Sequence, residues 1–296
     1  MKTWIRRTGG ALLVLLVLAI LALIIGKILG ERKLNRIVAV PVSAIPILAS
    51  PERIAHGRYL YDTRGCADCH GANGAGKTVV EDGAMLVVAP NITSGPNGVT
   101  ARYKVVDWVR TLRHGVKPDG HPVIVMPSED YARLSDEDTA ALVAYLQQLV
   151  PVAGRQALIA LPLPVEVLYG VGLIKDAAEK IDHGLAPPGP VVAAVTPAYG
   201  AYVANSCTGC HGVQLAGGRI PGAPPSWPPA ARLAPGKDSA MAHYTNAAQF
   251  VAMMKSGRRP DGRAISQVMP FDSLGKMSDT DMRALYAYLS SLPASH

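Results

Sequence analysis

Apolar positions along the chain follow two different patterns. Residues 11–29 are apolar almost without a break, interrupted only by Gly26 and Lys27. At about 1.5 Å per helical residue, such a run just crosses a hydrocarbon core of about 30 Å, which predicts one transmembrane helix over 11–29. A basic stretch followed by an apolar run also describes a cleaved signal peptide. Here Gly30-Glu31-Arg32-Lys33 follows the run where a small-x-small cleavage site would stand, which favours retention. Downstream the apolar residues take helical spacing: Leu142, Tyr145, Leu146 and Leu149 form one stripe, and Leu285, Tyr288, Leu289 and Leu292 another. Both stripes read as packing surface. The first opens with Ser135-Asp136-Glu137-Asp138 and the second with Ser278-Asp279-Thr280-Asp281, a capping pattern whose acids suit the positive end of a helix.

The two stripes belong to a repeat. Cys66, Cys69 and His70 recur 141 residues later as Cys207, Cys210 and His211. Trp108, Gly115, Pro118, Asp119 and Gly120 recur after 142 as Phe250, Gly257, Pro260, Asp261 and Gly262, and Met126-Pro127 recurs after 143 as Met269-Pro270. A period this long indicates a duplicated domain, not a solenoid. Each copy reads as helix, Cys motif, long loop, helix, turn, Met loop and final helix. The middle helices are predicted near 102–114 and 245–256, each stopped by a glycine and followed by a Pro-Asp-Gly turn. The predicted organisation is a basic cytoplasmic end (1–10), the span (11–29), a linker (30–50), a first domain (51–152), a connector (153–190) and a second domain (191–296). The connector holds five prolines and an apolar stretch at 165–174, read as a short helix over the interdomain surface or as a second membrane contact too short to span.

Composition sharpens this picture in two places. The 296 residues are 49% hydrophobic but include only two Phe, so a flat apolar cofactor is a candidate for the missing core volume. The net charge of +7 is confined to one end. Residues 1–36 carry seven basic groups (Lys2, Arg6, Arg7, Lys27, Arg32, Lys33 and Arg36) and only Glu31 as an acid, leaving 22 basic and 21 acidic groups downstream. The soluble body is therefore nearly neutral, and nucleic acid is excluded as a partner. Basic residues flank both ends of the span, so they do not set its orientation.

Cys66-Ala67-Asp68-Cys69-His70 and Cys207-Thr208-Gly209-Cys210-His211 use all four cysteines in the pattern of c-type haem attachment. Thiols three residues apart lie about one helical turn apart and can form thioethers with two haem vinyl groups, while the adjacent His reaches iron. A zinc site would need the His and both thiols at one tetrahedral point, a thioredoxin-like pair would need a βαβ context, and disulfides would not require either His. The second axial ligand is expected from Met126 and Met269, matched in the repeat, each in a loop and each followed by Pro. Met253, Met254 and Met282 read as core, while Met85, Met241 and Met277 have no repeat partner. His114 is expected to interact with its own helix C-terminus, and His56, His121, His183 and His243 to be surface or loop residues. Arg113 and Lys255 occupy matched positions from which they could reach haem propionates.

At these residues the chain resembles class I cytochrome c domains. It is more narrowly similar to the cytochrome subunits of periplasmic alcohol, gluconate and aldehyde dehydrogenases. The narrower likeness rests on Pro90-Asn91-Ile92-Thr93, on Arg113-His114-Gly115-Val116-Lys117-Pro118-Asp119-Gly120, and on the Met-Pro loops before the Ser-Asp-x-Asp helices. The implied fold is all-α, with two tandem domains of three to five helices around a haem, plus the N-terminal helix. The implied cofactors are two covalently bound haem c groups, held through Cys66, Cys69, Cys207 and Cys210, with His70 and His211 as proximal and Met126 and Met269 as distal iron ligands. Those subunits typically have three haem sites and an anchor near the C-terminus; this sequence has two sites and an N-terminal anchor. The second copy has a Pro-rich stretch, 221–229, in place of Pro-Asn-Ile-Thr.

Covalent haem attachment implies export, which places both domains in the periplasm of a bacterium, on a single-pass protein of the cytoplasmic membrane with Met1 in the cytoplasm. The expected function is electron transfer, without catalysis, from a periplasmic dehydrogenase or quinol-oxidising complex to a downstream cytochrome or terminal oxidase. A dihaem peroxidase is the enzymatic alternative and needs one iron with an open position. A haem-based sensor would require an output domain.

Overall fold

The structure, a computed structural model, describes residues 2–293, with side chains from Arg7 onward. The expected cytoplasmic position of Met1 and the last three residues of the second domain lie outside the described residues. Helix α1 (Lys2–Leu34) contains a segment, Arg7–Leu34, long and apolar enough to cross a membrane, and its apolar side chains are almost entirely exposed. The first domain comprises α2 (Pro51–Thr63), α3 (Cys66–His70), strands β1 (Thr78–Asp82) and β2 (Met85–Val88), α4 (Val105–His114), α5 (Ser128–Tyr131) and α6 (Asp136–Leu146). The connector supplies β3 (Leu158–Ala160), α7 (Leu163–Gly170) and α8 (Ala177–Lys180). The second domain repeats the plan with α9 (Pro197–Ala204), α10 (Thr208–His211), α11 (Ala247–Ser256), α12 (Phe271–Leu274) and α13 (Asp279–Ser291). The chain is therefore two tandem, mostly helical domains behind one apolar helix.

Each domain is built on the crossing of its first and last helices, α2 on α6 and α9 on α13. The backbones meet at a glycine: a Cβ on Gly57 would lie 1.9 Å from the Ala141 carbonyl oxygen, and one on Gly200 1.9 Å from that of Ala284. Ser135 and Ser278 cap the last helices by accepting from the Asp138 and Asp281 amides. The inward stripes then close the cores. Leu142, Val143 and Leu146 pack with Leu60, Tyr61 and Trp108 in the first domain, and Met282, Leu285 and Leu289 pack with Val203, Phe250 and Met254 in the second.

Two features go beyond the helical pattern. The loop after α3 forms a hairpin, β1–β2, that β3 of the connector extends antiparallel, pairing Val87 with Ile159. In place of such a hairpin the second domain has its Pro-rich loop, whose Trp227 covers Val80, Met85 and Val87 while the Ser226 hydroxyl donates to Asp82. The connector helix α7 also lies elsewhere than expected. It packs against α1 and not over the interdomain surface, because Gly26, Gly30 and Gly170 let the two backbones touch. The segment expected as a linker is helical through Leu34, and beyond it the Val38 amide donates to the Gly120 carbonyl while Ile47 joins the first core.

The two domains meet about a pseudo-two-fold axis, so that matched residues make reciprocal contacts. Tyr59 of α2 donates to Asp281 of the second domain (2.7 Å) and accepts from the Ser278 amide (3.0 Å). Its counterpart Tyr202 donates to Asp138 of the first domain (2.6 Å) and accepts from the Ser135 amide (3.1 Å). Within its own domain each aspartate takes a further partner at matched positions, Tyr199 for Asp281 and His56 for Asp138, each at 2.7 Å. The symmetry breaks at Arg64, which adds an ion pair to Asp281 at 2.7 Å with both groups buried, and whose place two residues before the Cys motif is taken in the second domain by Asn205. Burial pushes the Asp281 carboxyl up, but Arg64 and the tyrosine hydroxyls outweigh it and hold the group below the ordinary carboxylate range. Asp138 is likewise held low by His56 and Tyr202 against its burial, and His56 is raised by Asp138 over its own desolvation.

Arg64→Met leaves a buried carboxylate without its cation, and removing one partner of such a pair costs about 3–5 kcal/mol. Urea unfolding of the purified protein is expected to show that loss, and a change under 1 kcal/mol, roughly an exposed pair's worth, contradicts the assignment. The pH dependence has two signs. The lowered aspartates stabilise the fold above their unfolded pKa of about 3.9, and that stability is lost as pH falls through their folded values. The raised His56 stabilises fully below about 6.5, and its share is lost as pH rises through its folded value. His56→Gln is therefore expected to flatten the decline of the unfolding midpoint on the alkaline side of about pH 6.5 and to weaken the Asp138 share of the acid limb, while the Asp281 share stays in place.

Candidate cofactor-binding site

Helix α2 ends at Thr63, and Gly65, in the left-handed region at φ 84°, turns the chain directly into α3. The Tyr131 hydroxyl holds this turn by donating to the Arg64 carbonyl at 3.0 Å. Along α3 Cys66 is buried and Cys69 half-buried one turn on, with His70 closing the helix. The His70 ring is oriented by the Pro90 carbonyl, 2.9 Å from Nδ1. A carbonyl only accepts, so Nδ1 carries the proton and Nε2 is left with its lone pair for a metal. Burial lowers the His70 pKa against the effect of that carbonyl, so the ring is kept neutral, as ligation requires.

The same arrangement recurs in the second domain. His211 Nδ1 lies 2.7 Å from the Ala231 carbonyl, which is the repeat position of Pro90, and burial again lowers its pKa. Behind each imidazole a glycine amide donates back to the histidine carbonyl at 2.9 Å, from Gly76 to His70 and from Gly217 to His211. Both glycines are left-handed, and a Cβ on either would lie within 2.6 Å of the backbone that presents the orienting carbonyl. Pro-Asn-Ile-Thr supplies a further brace in the first domain alone. Fully buried Asn91 donates to the Pro96 and Val152 carbonyls and accepts from the Thr93 amide, fixing the segment after β2 that carries Pro90.

A cavity of about 250 Å³ lies in the first domain, bordered by Cys66, Cys69 and His70 from α3, Trp108 and Leu112 from α4, and Met126 from the loop before α5. Its remaining wall is mainly aliphatic. Two segments far apart in sequence, α3 and the Met126 loop, thus bring two thiols, one imidazole and one thioether to a single apolar slot. That donor set fits a flat apolar macrocycle joined through both thiols and ligated by nitrogen and sulfur. Both cysteines are free, and burial pushes Cys66 up to about 12 and Cys69, despite Lys77 nearby, to about 11, so neither is held as a reactive thiolate. In the second domain Cys207 and Met269 pack against one core cluster, with Cys207 pushed up to about 12 by burial and Cys210 exposed. Met241 packs against that cluster too, although it has no repeat partner.

Other sequence-nominated residues fall outside the slot. Arg113 pairs with Asp136 at 2.6 Å and Lys255 with Asp279 at 2.7 Å, so these matched cations bind the acidic first turns of α6 and α13. His114, the last residue of α4, sits 3.0 Å from His183, with its pKa lowered to about 4 by burial, His183 and the neighbouring arginines. His121 adjoins Asp119 and His243 stacks edge-on to Tyr244. Met253, Met254 and Met282 are core, as are Met85 and Met277. The sequence reading did not single out Asp130, which accepts from the Thr208 hydroxyl and the Gly209 amide of the opposite domain's Cys motif, both at 2.9 Å. Its only sequence signal was its place four residues beyond Met126.

The fold and the slot define a protein of tandem domains, each with a Cys-x-x-Cys-His helix, an oriented imidazole and a methionine loop around an apolar core. The chain belongs to the cytochrome c family, whose model, described as cytochrome c, matches residues 54–150 and again 197–293. Domains of this family bind haem c covalently and serve electron transport. Among curated relatives, the cytochrome c subunit of the quinone alcohol dehydrogenase of Gluconobacter oxydans is 27% identical over 271 residues, covering 81% of this chain and 55% of that protein. The fructose dehydrogenase cytochrome subunit of Gluconobacter japonicus is 31% identical over 147 residues, 47% of this chain and 30% of that protein. A cbb3-type cytochrome c oxidase subunit of Helicobacter pylori is 30% identical over 112 residues, 37% and 32% of the two chains. The chain thus spans about half the length of the first relative and about a third of the other two.

Gly76→Ala is expected to destabilise the holoprotein by more than about 1 kcal/mol, because alanine at positive φ is strained and its Cβ meets the Ala89–Asn91 backbone. Urea unfolding checks this, and Gly83→Ala, at a similar φ with open space around it, separates strain from collision.

Proposed function

We propose that the chain is a dihaem cytochrome c that passes electrons and makes or breaks no substrate bonds. Cys66 and Cys69 hold one haem c and Cys207 and Cys210 the other, with His70 and His211 as proximal ligands and Met126 and Met269 as distal ones. The observation that carries this reading is the convergence of both thiols, the Nε2-free imidazole of His70 and the Met126 thioether on one apolar slot, in a domain whose repeat carries the same residues. The cofactor supplies a one-electron iron couple, and a methionine ligand raises its potential. The chain's own residues do the rest. The Pro90 and Ala231 carbonyls fix the ring nitrogens, the apolar walls exclude water, and paired His and Met donors leave no axial position for a substrate, against a peroxidase.

The relatives named as subunits of dehydrogenases and of an oxidase support a place between such complexes. The donor is a periplasmic dehydrogenase or quinol-oxidising complex, and the acceptor a downstream cytochrome or terminal oxidase. The N-terminal helix anchors the protein in the bacterial cytoplasmic membrane, with both domains in the periplasm where haem c is attached.

Intact mass of the mature protein is expected to show two haems, and Cys69→Ser or Cys210→Ser to disturb attachment only in its own domain. Met126→Ala and Met269→Ala are each expected to change one ferric spectrum and lower one midpoint potential. If both ferric spectra stay unchanged, the ligand assignment is wrong, and peroxide turnover by the unmodified protein overturns the non-enzymatic reading.

A further inference from the structure

The connector presents an apolar surface that neither haem domain uses. Of α7 and the turn after it, Leu163, Leu168, Val171 and Leu173 are exposed, Leu173 at 72%. Helix α7 packs on α1 and on no other helix closely. Val167 meets Gly26, the Glu166 carbonyl meets Gly30, and Gly170 meets the backbone of both, leaving no room for a side chain at any of the three glycines. Gly26 lies inside the apolar run of α1, and at about 1.5 Å per residue it is about 5 Å below the last apolar residue, Leu29. Whatever surrounds α1 at that depth therefore also surrounds α7.

Charged groups are few at this level, where Lys27 of α1 reaches back to pair with Glu31 at 3.6 Å. Glu166 is the one ionisable acid or base in α7, and it sits beside Gly30 at the end of the apolar run. From Lys33 onward the contacts become ionic. Lys33 Nζ donates to the Tyr169 and Ile174 carbonyls and pairs with Glu179 at 2.8 Å, while Arg36 pairs with buried Asp176 at 2.7 Å and donates to the Tyr169 hydroxyl. Burial pushes the Asp176 carboxyl up, but Arg36 and Tyr169 hold it below the ordinary range, so this clamp stays charged. It continues through Lys180 to Glu129 of α5 in the first domain, at 2.6 Å. The contact between α1 and the connector thus changes from apolar packing to ion pairs between Gly30 and Lys33.

We propose that α7 and the turn through Leu173 form a monotopic segment that inserts beside α1 into the acyl-chain boundary of the bilayer, with the Lys33–Arg36 clamp at headgroup level. This rests on the reading of α1 as a retained membrane anchor. The partner is the lipid acyl region, reached to the depth of about 5–10 Å typical of interfacial helices. A second element at that level fixes the tilt of the first domain on the membrane, so the haem domains stand at a set orientation and not on a free tether.

The full-length holoprotein in liposomes containing a phosphatidylcholine with a diazirine on its acyl chain tests this. Trypsin releases residues 8–27 from α1, 156–175 with all of α7, and 264–276 from the second domain. The expected result is photo-adducts on 156–175 within about threefold of the yield on 8–27 and at least about tenfold above 264–276. Gly170→Leu, which displaces α7 from α1, is expected to cut the yield on 156–175 severalfold and leave 8–27 unchanged. Labelling of 8–27 with 156–175 at the level of 264–276 overturns the proposal alone. Labelling of neither, or loss of 8–27 from the mature protein, overturns the anchor reading and the proposal with it.

Discussion

The arrangement depends on two carboxylates, Asp138 and Asp281, each three residues beyond the serine that caps a terminal helix. A carboxylate there already answers the positive helix end, and an interdomain tyrosine hydroxyl completes it. Because Tyr59 and Tyr202 reach across in opposite directions, neither domain can rotate without unpairing a buried acid. Burying such an acid is costly unless donors surround it, and here the two duplicated domains supply them to each other. Arg64 breaks the symmetry and makes the second-domain acid the more deeply committed of the two.

The same reciprocity brings the cofactor motifs to the interdomain surface. Asp130, on the short helix after the first Met loop, seats the second Cys motif, and α12, after the second Met loop, lies against α3. The short helix after the Met loop of each domain is thus packed on the Cys-motif helix of the other. Within each domain the imidazole is set by backbone alone, through a carbonyl twenty residues on and a glycine that lets that strand approach. Backbone orientation of this kind tolerates the differences between the loops, a braced hairpin in one domain and a Pro-rich stretch in the other.

The N-terminal helix and the connector form a third unit. Charged groups change the character of the α1–α7 contact within a few residues, from glycine-mediated apolar packing at Gly26 and Gly30 to the ion pairs of Lys33 and Arg36. The chain between helix and domain is accordingly held, with Val38 bonded to Gly120 and Ile47 in the core.

Local chemistry made much of this readable in the chain. The Cys-x-x-Cys-His spacing, the Ser-Asp caps, the glycines that end α4 and α11 and the apolar run of α1 each act within a turn or two of backbone, so residue order alone fixes them. The repeat then implied that one domain's plan held for the other. What residue order did not determine was which groups meet across long separations. Arg113 and Lys255, matched in the repeat and candidates for propionates, pair instead with the acids that open the next helix. The connector's prolines and apolar residues favoured a helix over the interdomain surface, with a second membrane contact as the alternative, and only the close approach of three glycines put it on α1. Tyr59 with Asp281 and Asp130 with Gly209 carry no signal in their neighbours, because their value arises only when the docked domains remove them from water. Position along the chain decided the elements and their chemistry; shape complementarity and desolvation in the folded protein decided the partners.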